Sequence, residues 1–300
     1  MSFKVIGIGE VLWDLLPSGP QLGGAPANFV CHAAQLGASA QLISRVGADP
    51  LGQRILASLA QRGLDTTTLQ TDSHLPTGSV GVALGTDGTP QFTIHTGVAW
   101  DALTVTDNAL ATVRHAAAIC FGTLAQRTPE AARAIRQLVT ATPFNALRVF
   151  DINLRQNFYR EDILAESLAI ANVLKLNDAE LVVLSQIFNL AGTITQKMEA
   201  LASRFELQLV ALTRAERGSL LYQGGQWSEL PGRAFQVVDT VGAGDAFTAA
   251  LVMGLLHRYP LQEIHRVADS VATFVCSHHG ATPELPPTLR AMYLENCPTN

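Results

Sequence analysis

The sequence predicts an α/β protein with a mostly parallel central sheet and a small extra β-sheet. Apolar runs of strand length alternate with segments of helical length along most of the 300 residues, a pattern that stacked β-α units produce. Hydrophobic residues make up 48% of the chain and charged residues 15%, a balance that suits a buried sheet and argues against disorder. One segment, residues 77–96, breaks the alternation.

The chain opens with two β-α units. Gly37 and Gly63 follow the two helical segments at the position where a glycine commonly ends a helix. The first strand ends in Gly9-Glu10, as expected for a buried strand that delivers polar residues at its carboxyl end. The predicted elements are a strand at 5–8, a helix at 27–36, a strand at 41–46 and a helix at 52–61, with a loop at 17–20.

The interrupting segment has the pattern of a β-hairpin, with apolar strands at 79–84 and 92–95 around a turn at 85–90. We expect an antiparallel insertion there.

Alternation then returns. Asp151, Asn177 and Thr213 end three of the later strands, at the edge where an open α/β sheet binds its ligand. The later elements are strands at 117–121, 148–151, 173–177 and 209–213, a hairpin turning at Gly224-Gly225, and helices at 246–256 and 261–275.

Charge, cysteine and histidine usage exclude several function classes. The net charge is −5 and no run of basic residues occurs, so we expect no nucleic-acid partner. The four cysteines and eight histidines lack metal-site spacing, so reduced thiols and histidines without a metal are expected. The N-terminal residues contain no signal-like apolar region and no apolar stretch is long enough to cross a bilayer. A cytoplasmic protein with no membrane partner is expected.

Residues 239–247, with the sequence DTVGAGDAF, are the most informative stretch. Gly242, Ala243 and Gly244 leave the backbone bare just before a helix, so their N–H groups can receive an anion such as phosphate. Asp245 follows, where a carboxylate can accept a proton from an attacking hydroxyl group. Taken alone, these residues are equally compatible with a phosphate site and with a purely structural role, in which Asp245 only caps the helix and the glycines only form a turn.

This stretch and residues 23–28, with the sequence GGAPAN, resemble the two signatures of the ribokinase-like (PfkB) carbohydrate kinases. The two motifs occur in the family's order, and the resemblance covers essentially the whole chain. It implies a three-layer α/β sandwich with a β-sheet lid, ATP with Mg²⁺, and transfer of the γ-phosphoryl group to a primary hydroxyl of a small sugar. Residues 1–300 would form one kinase domain. Residues 11–26 and 71–104 would form its lid, which would also provide the contact surface of a homodimer.

By the same resemblance, Asp245 is the catalytic base, and Gly242, Ala243 and Gly244 form the hole for the transferring phosphoryl group. Arg155, from a D-x-N-x-R segment at 151–155, would lie along that phosphate; otherwise it is a surface arginine. The residues that would bind the sugar are Asp14, Gly23, Gly24 and Asn28. A solvated loop acid is the alternative for Asp14.

The nucleotide end is assigned in the same way. The family's N-x-x-E motif corresponds to Asn177 and Glu180, and Glu180 would hold Mg²⁺ through water. In the family's T-x-G-x-x-G turn, Thr213 and Gly218 match, but Ala215 replaces the first glycine, which puts the geometry of the turn in question. An adenine-side loop would contain Gly280 and Ala281, and a K⁺ site would use Asp239 and Val241.

Fructose is the expected acceptor, because the N-terminal motifs resemble fructokinases and lack the lysine usual in the glycine signature of ribokinases. Activity on 2-keto-3-deoxygluconate or ribose stays open, as does a sugar-binding regulator without catalysis. The retained Asp245 argues against such a regulator. A dehydrogenase fingerprint at Gly7 and Gly9 fails because Leu12 occupies its third glycine position.

Overall fold

A computed structural model of the protein describes residues 2–16, 19–84 and 90–293, with residues 82–84 and 90–92 described by their backbone only. Most of the expected turn at 85–90 and one of the cysteines, Cys297, lie outside this description. Of the other three cysteines, Cys31 and Cys120 are buried and Cys276 is half-buried, and all three are free thiols as expected. Within the described residues, no helix is both long and apolar enough to span a membrane.

The described residues form thirteen strands. In chain order they are β1 (Lys4–Ile8), β2 (Leu12–Leu16), β3 (Gly19–Gly23), β4 (Ser39–Gly47), β5 (Leu69–Asp72), β6 (Ser79–Leu84), β7 (Pro90–Ile94), β8 (Ala118–Phe121), β9 (Leu147–Asp151), β10 (Val173–Asn177), β11 (Leu209–Thr213), β12 (Ser219–Gln223) and β13 (Gln226–Leu230).

Ten α-helices are described in the same residues. They are α1 (Ala25–Gln35), α2 (Pro50–Gln61), α3 (Asp107–Val113), α4 (Pro129–Thr140), α5 (Glu161–Ile170), α6 (Asp178–Ile187), α7 (Ile194–Arg204), α8 (Ala243–Leu256), α9 (Leu261–Cys276) and α10 (Pro287–Ala291). Short 3₁₀ helices lie at Ala99–Ala102, Leu124–Gln126 and Ala215–Arg217.

Nine strands form the large sheet in the order β13-β12-β11-β10-β9-β8-β1-β4-β5. Every pair from β11 to β5 is parallel, and the β12–β13 hairpin adds two antiparallel strands at one edge. The carboxyl ends of the parallel strands therefore meet along one edge of the sheet, as the sequence predicted.

Helices cover both faces of this sheet, so the protein has three layers. Successive residues of a strand point to opposite faces, and in β1 Val5 packs into one apolar cluster while Ile6 packs into the other. The first cluster is completed by α1, α2, α8 and α9, and the second by α3 to α7.

A separate four-stranded sheet has the order β3-β2-β6-β7. Its β6–β7 hairpin is the one expected from the sequence. Strands β2 and β3 form a second antiparallel hairpin, and β2 pairs in parallel with β6. This arrangement corrects the expected loop at 17–20, because Gly19 and Pro20 begin β3. The strands β2, β3 and β5 were not predicted individually.

The two glycines expected to end helices do so. Gly37 and Gly63 follow α1 and α2 with φ angles of 97° and 75°, in the left-handed region that glycine adopts without steric cost. The last two long helices are also confirmed, but α8 begins at Ala243, three residues earlier than the expected start at 246.

Candidate active site

Polar side chains gather where the parallel strands of the large sheet end. Asp151, Asn177 and Thr213 are the last residues of β9, β10 and β11, and Glu10 lies just beyond β1. The first turn of α8 lies at the same edge, because Asp245 in that turn is close enough for the charge of Asp151 to raise its pKa and for its own charge to raise the pKa of Glu10.

The start of α8 is shaped by Gly242. This residue is the N-cap with φ 79°, a left-handed conformation, and the helix follows immediately. A Cβ atom at Gly242 would overlap the backbone of Ala281, coming within 2.7 Å of its Cα, so the loop at Ala281 packs directly on the helix start. The first N–H groups of a helix have no carbonyl partner within it, and Gly244 and Asp245 lie in this first turn. The arrangement can bind an anion.

Asp245 contacts the N-terminal half of the chain. The Nδ2 atom of Asn28, 217 residues away in sequence, donates a 2.8 Å hydrogen bond to Oδ2 of Asp245. Burial and the neighbouring charge of Asp151 raise the pKa of Asp245 to about 7. A carboxylate whose pKa lies near neutrality suits general base catalysis. The two motifs that the sequence singled out therefore meet at this hydrogen bond.

Two buried oxygen atoms near Asp245 have no protein partner among the described residues, namely Oδ1 of Asn28 and Oε2 of Glu10. The other carboxyl oxygen of Glu10 accepts a 3.2 Å hydrogen bond from the N–H of Ala25. Burial is the main reason that the pKa of Glu10 rises to about 7. Buried polar atoms normally have hydrogen-bond partners, so these two fit a ligand rich in hydroxyl groups.

Asp14 lies in β2 of the small sheet, so the alternative of a solvated loop acid is wrong. It pairs with Gln21 of β3, and its carboxylate lies against Gly23, where an added Cβ would be 3.2 Å from the Asp14 Cγ atom. Burial raises the pKa of Asp14, while the charge of Arg155 lowers it. Gly24 is equally confined, since its Cβ would lie 2.6 Å from the carbonyl oxygen of Glu10.

Arg155 is exposed in the loop that follows β9. Its Nη1 atom donates a 3.0 Å hydrogen bond to the carbonyl of Leu154. Its positive charge lowers the pKa values of Glu10, Asp14 and Asp245, so the guanidinium group lies on the same side of the protein as these carboxyl groups.

Asn177 and Glu180 cap α6. Oδ1 of Asn177 accepts the N–H of Glu180, and Oε2 of Glu180 accepts the N–H of Asn177, a reciprocal capping box. The other Glu180 oxygen accepts a 2.9 Å hydrogen bond from the N–H of Leu154. Both Glu180 oxygens are already hydrogen-bonded to backbone N–H groups, so contact with Mg²⁺ through water fits this geometry better than direct ligation. The described residues contain no group of three or more His, Cys, Asp or Glu arranged to hold a metal ion.

The turn from Thr213 to Gly218 forms despite the missing glycine. Ala215 adopts φ 48° and Gly218 adopts φ 83°, so alanine takes a conformation that costs it about 1 kcal/mol or more. The N–H of Arg214 closes the turn with a 2.7 Å bond to the carbonyl of Gly218.

Asp239 joins the two loops expected at the nucleotide end. Its Oδ1 accepts the N–H of Val241 at 3.0 Å, and its Oδ2 accepts the N–H of Gly280 at 3.1 Å. The next residue, Ala281, uses its carbonyl to bind Nε2 of His32 at 2.9 Å. The expected nucleotide and K⁺ residues of this region are therefore neighbours.

Sequence reasoning missed Lys175 and its contact with Asp151. The lysine lies in the middle of the apolar strand β10, is 7% exposed, and places Nζ 3.1 Å from Oδ1 of Asp151. A lysine inside the run VLKLN was the available signal, because a buried lysine almost always has a partner.

Several known proteins are similar to this chain in sequence and in architecture. The sequence model of a protein family described as pfkB family carbohydrate kinase matches residues 20–288 of this chain. A fructokinase from Klebsiella pneumoniae is 31% identical over 286 residues, which are 91% of this chain and 88% of that protein. An uncharacterized sugar kinase from Pyrococcus horikoshii, solved in complex with ATP, has a TM-score of 0.77 at 27% identity, covering 93% of this chain and 94% of its own. A fructokinase double mutant from Vibrio cholerae O395, solved with fructose, ADP and potassium ion, has a TM-score of 0.79 at 21% identity, covering 97% of this chain and 98% of its own.

Proposed function

The chain belongs to the pfkB family of carbohydrate kinases and has the ribokinase-like fold, and we propose that it transfers the γ-phosphoryl group of ATP to a primary hydroxyl of fructose. The observation that carries this proposal is the position of Asp245. It lies in the first turn of α8, beside N–H groups that can bind an anion and within hydrogen-bond distance of Asn28.

In the proposed reaction, Asp245 accepts the proton of the sugar hydroxyl as that oxygen attacks the γ-phosphorus. The bond between the γ-phosphorus and the bridging oxygen breaks, and ADP leaves with that oxygen. The N–H group of the N-cap Gly242 and those of Ala243 and Gly244 in the first turn bind the charge that develops on the transferring group. Arg155 lies along the same phosphate, where a planar guanidinium can bind two oxygens. Bound Mg²⁺ would neutralise charge on the ATP phosphates, and Glu180 would hold it through water.

The nucleotide is proposed to lie along the carboxyl edge of the sheet, beside Asn177, Thr213 and Gly218, with the adenine near Gly280 and Ala281. We also propose that carbonyl groups near Asp239 and Val241 hold K⁺. The potassium ion bound in the Vibrio cholerae fructokinase structure supports the use of K⁺.

The sugar is proposed to bind between Asp14, Gly23, Gly24 and Asn28. A neutral sugar is favoured over an acid such as 2-keto-3-deoxygluconate, because carboxyl groups of Glu10, Asp14 and Asp245 line this region. Arg155 opposes the charge of all three, and Lys175 opposes that of Asp245. The name of the Klebsiella pneumoniae relative also supports fructose.

The small sheet is proposed to be a lid, formed within residues 11–26 and 71–104, that closes over the sugar and excludes water. Its outer surface, where Leu15 is 37% exposed, is the surface through which two copies would pair. Light scattering measures that oligomeric state, and a monomer at working concentration would refute the pairing.

The activity is tested by measuring ADP release with fructose, ribose and 2-keto-3-deoxygluconate. We expect fructose to give the highest kcat/KM. Asp245→Asn should fold and bind ATP but lose at least about 10²-fold in kcat, since general bases contribute on this scale. Near-normal kcat in that variant would remove Asp245 as the base, and absence of ADP release with every sugar would favour a binding protein.

A further inference from the structure

Lys175 lies directly behind the first turn of α8. Strands β9 and β10 place Lys175 opposite Asp151 in register, and the Nζ to Oδ1 distance is 3.1 Å. A Cβ atom built on Gly244 would come within 2.8 Å of the same Nζ. The ammonium group therefore contacts the backbone that carries the proposed phosphoryl-binding N–H groups.

The second oxygen of Asp151 extends this contact into α8. The hydroxyl of Thr248 lies 2.8 Å from Oδ2 of Asp151 and 3.0 Å from the carbonyl oxygen of Gly244. Lys175 and Asp151 are 7% and 5% exposed, and Thr248 is fully buried. The pair thus connects two central strands to the turn that holds Asp245.

Asp245 is surrounded by groups of both charge signs. The side chains facing it from the elements packed around it are Glu10 beyond β1, Asn28 of α1, Cys120 of β8, Asp151 of β9, Arg155 of the following loop and Lys175 of β10, and Glu180 of α6 acts on Lys175. Three of these carboxyl groups are buried alongside one buried ammonium group, and Arg155 is exposed.

We propose that Lys175 and Asp151 are a positioning pair that holds the first turn of α8 in place for the phosphoryl group, with the Lys175 ammonium group favouring the Asp245 carboxylate and the Asp151 charge opposing it. The inference rests on the proposed role of Asp245 as the base. Lys175 supplies the favourable charge and Asp151 keeps that charge in position.

The environment keeps the lysine charged. Burial by itself would lower the pKa of Lys175, but the charges of Asp151, Glu180 and Asp245 outweigh it, so the pKa is raised. The two members of the pair act on Asp245 with opposite signs: Asp151 raises the pKa of Asp245, and Lys175 lowers it. The two members of one ion pair should therefore shift the titration of Asp245 in opposite directions.

The test is the pH profile of kcat/KM for the sugar in the parent, K175M, D151N and the double variant K175M/D151N, all with the same ATP and Mg²⁺ concentrations. The acid limb of this profile reports the base of the free enzyme. Removing the ammonium group should move the limb to higher pH by about one unit, since an opposite charge close by shifts a carboxyl pKa by about 1–3 units. D151N should move it to lower pH, and the double variant should return close to the parent.

A matched control is R136M, which breaks the Arg136–Glu166 ion pair between α4 and α5, outside the proposed site and the proposed lid. It should leave the acid limb unmoved. If K175M and D151N lower activity equally at every pH with unmoved limbs, or move them in the same direction, the pair is only structural and the proposal fails.

If K175M alone does not fold, D151N and the double variant decide the question, because the double variant must have its limb at higher pH than D151N. Asp245→Asn distinguishes the two levels of failure. An active Asp245→Asn protein refutes the proposed base itself, whereas an inactive one with unmoved limbs in the pair variants refutes only this inference.

Discussion

Replacing Gly242 with alanine tests whether the packing of α8 against the loop at Ala281 sets the reaction geometry. Gly242 has φ 79°. A Cβ atom there would lie 2.7 Å from the Cα and 2.8 Å from the carbonyl carbon of Ala281. Carbon atoms in favourable contact are about 3.5–4.0 Å apart, so the loop or the helix start must move by about 1 Å.

Two separate costs follow from this geometry. A left-handed conformation costs an alanine about 1–2 kcal/mol relative to glycine. The displacement acts on the proposed phosphoryl-binding turn, and a misplacement of about 1 Å can lower turnover by roughly 10²-fold. We therefore expect a modest loss of stability together with a loss of kcat of this size.

Gly63→Ala is the matched control. Gly63 has a nearly identical φ of 75°, and an added Cβ there meets nothing within 4 Å. Its variant should show the conformational cost alone, seen as a decrease of a few degrees in the unfolding temperature, since about 1 kcal/mol corresponds to roughly 2–4 °C in larger domains.

The assay is steady-state ADP release, with kcat and both KM values measured for the parent, G242A and G63A, and thermal unfolding measured for all three. The reasoning is refuted if G242A has the same kcat as G63A, because the Ala281 contact would then have no influence on the reacting groups.

Three further outcomes are expected. Asp14→Ala should raise the KM for fructose by roughly 10-fold or more, the scale of a lost hydrogen bond to a charged group, and leave the KM for ATP nearly unchanged; a larger effect on ATP would contradict the assigned role of Asp14. Adding K⁺ to a Na⁺ buffer should increase the rate, and identical rates in the two salts would argue against the site at Asp239. Burial lowers the pKa of His265 to about 4, so its contribution is complete above the unfolded pKa of about 6.5 and is lost as pH falls towards 4. Urea unfolding should therefore show that the free energy of unfolding falls by about 2 kcal/mol more in the parent than in H265Q between pH 6.5 and 5. Glu10 and Asp245 contribute an opposite trend, but it is common to both proteins and cancels in the comparison. Equal losses in the two proteins would contradict this expectation.

Local patterns in the chain were enough to predict most of the architecture. The alternation of apolar strands with helical segments, and glycines such as Gly37 and Gly63, act over a few residues, so they can be recognised without knowing what packs on them. The motifs at 23–28 and 239–247 likewise identify the family, because each is contiguous. The hairpins at β6–β7 and β12–β13 have the same local character.

Contacts between distant segments were decided only in three dimensions. Strand β2 is short, and its place depends on pairing with β6, which brings Asp14 opposite Val80. The contact of Asn28 with Asp245 and the contact of Lys175 with Asp151 each join separate elements. Periodicity describes which face of an element is apolar, but it does not specify which polar side chain of another element meets it. The pKa values of the buried carboxyl groups depend on those meetings, because burial and neighbouring charges both require the assembled fold.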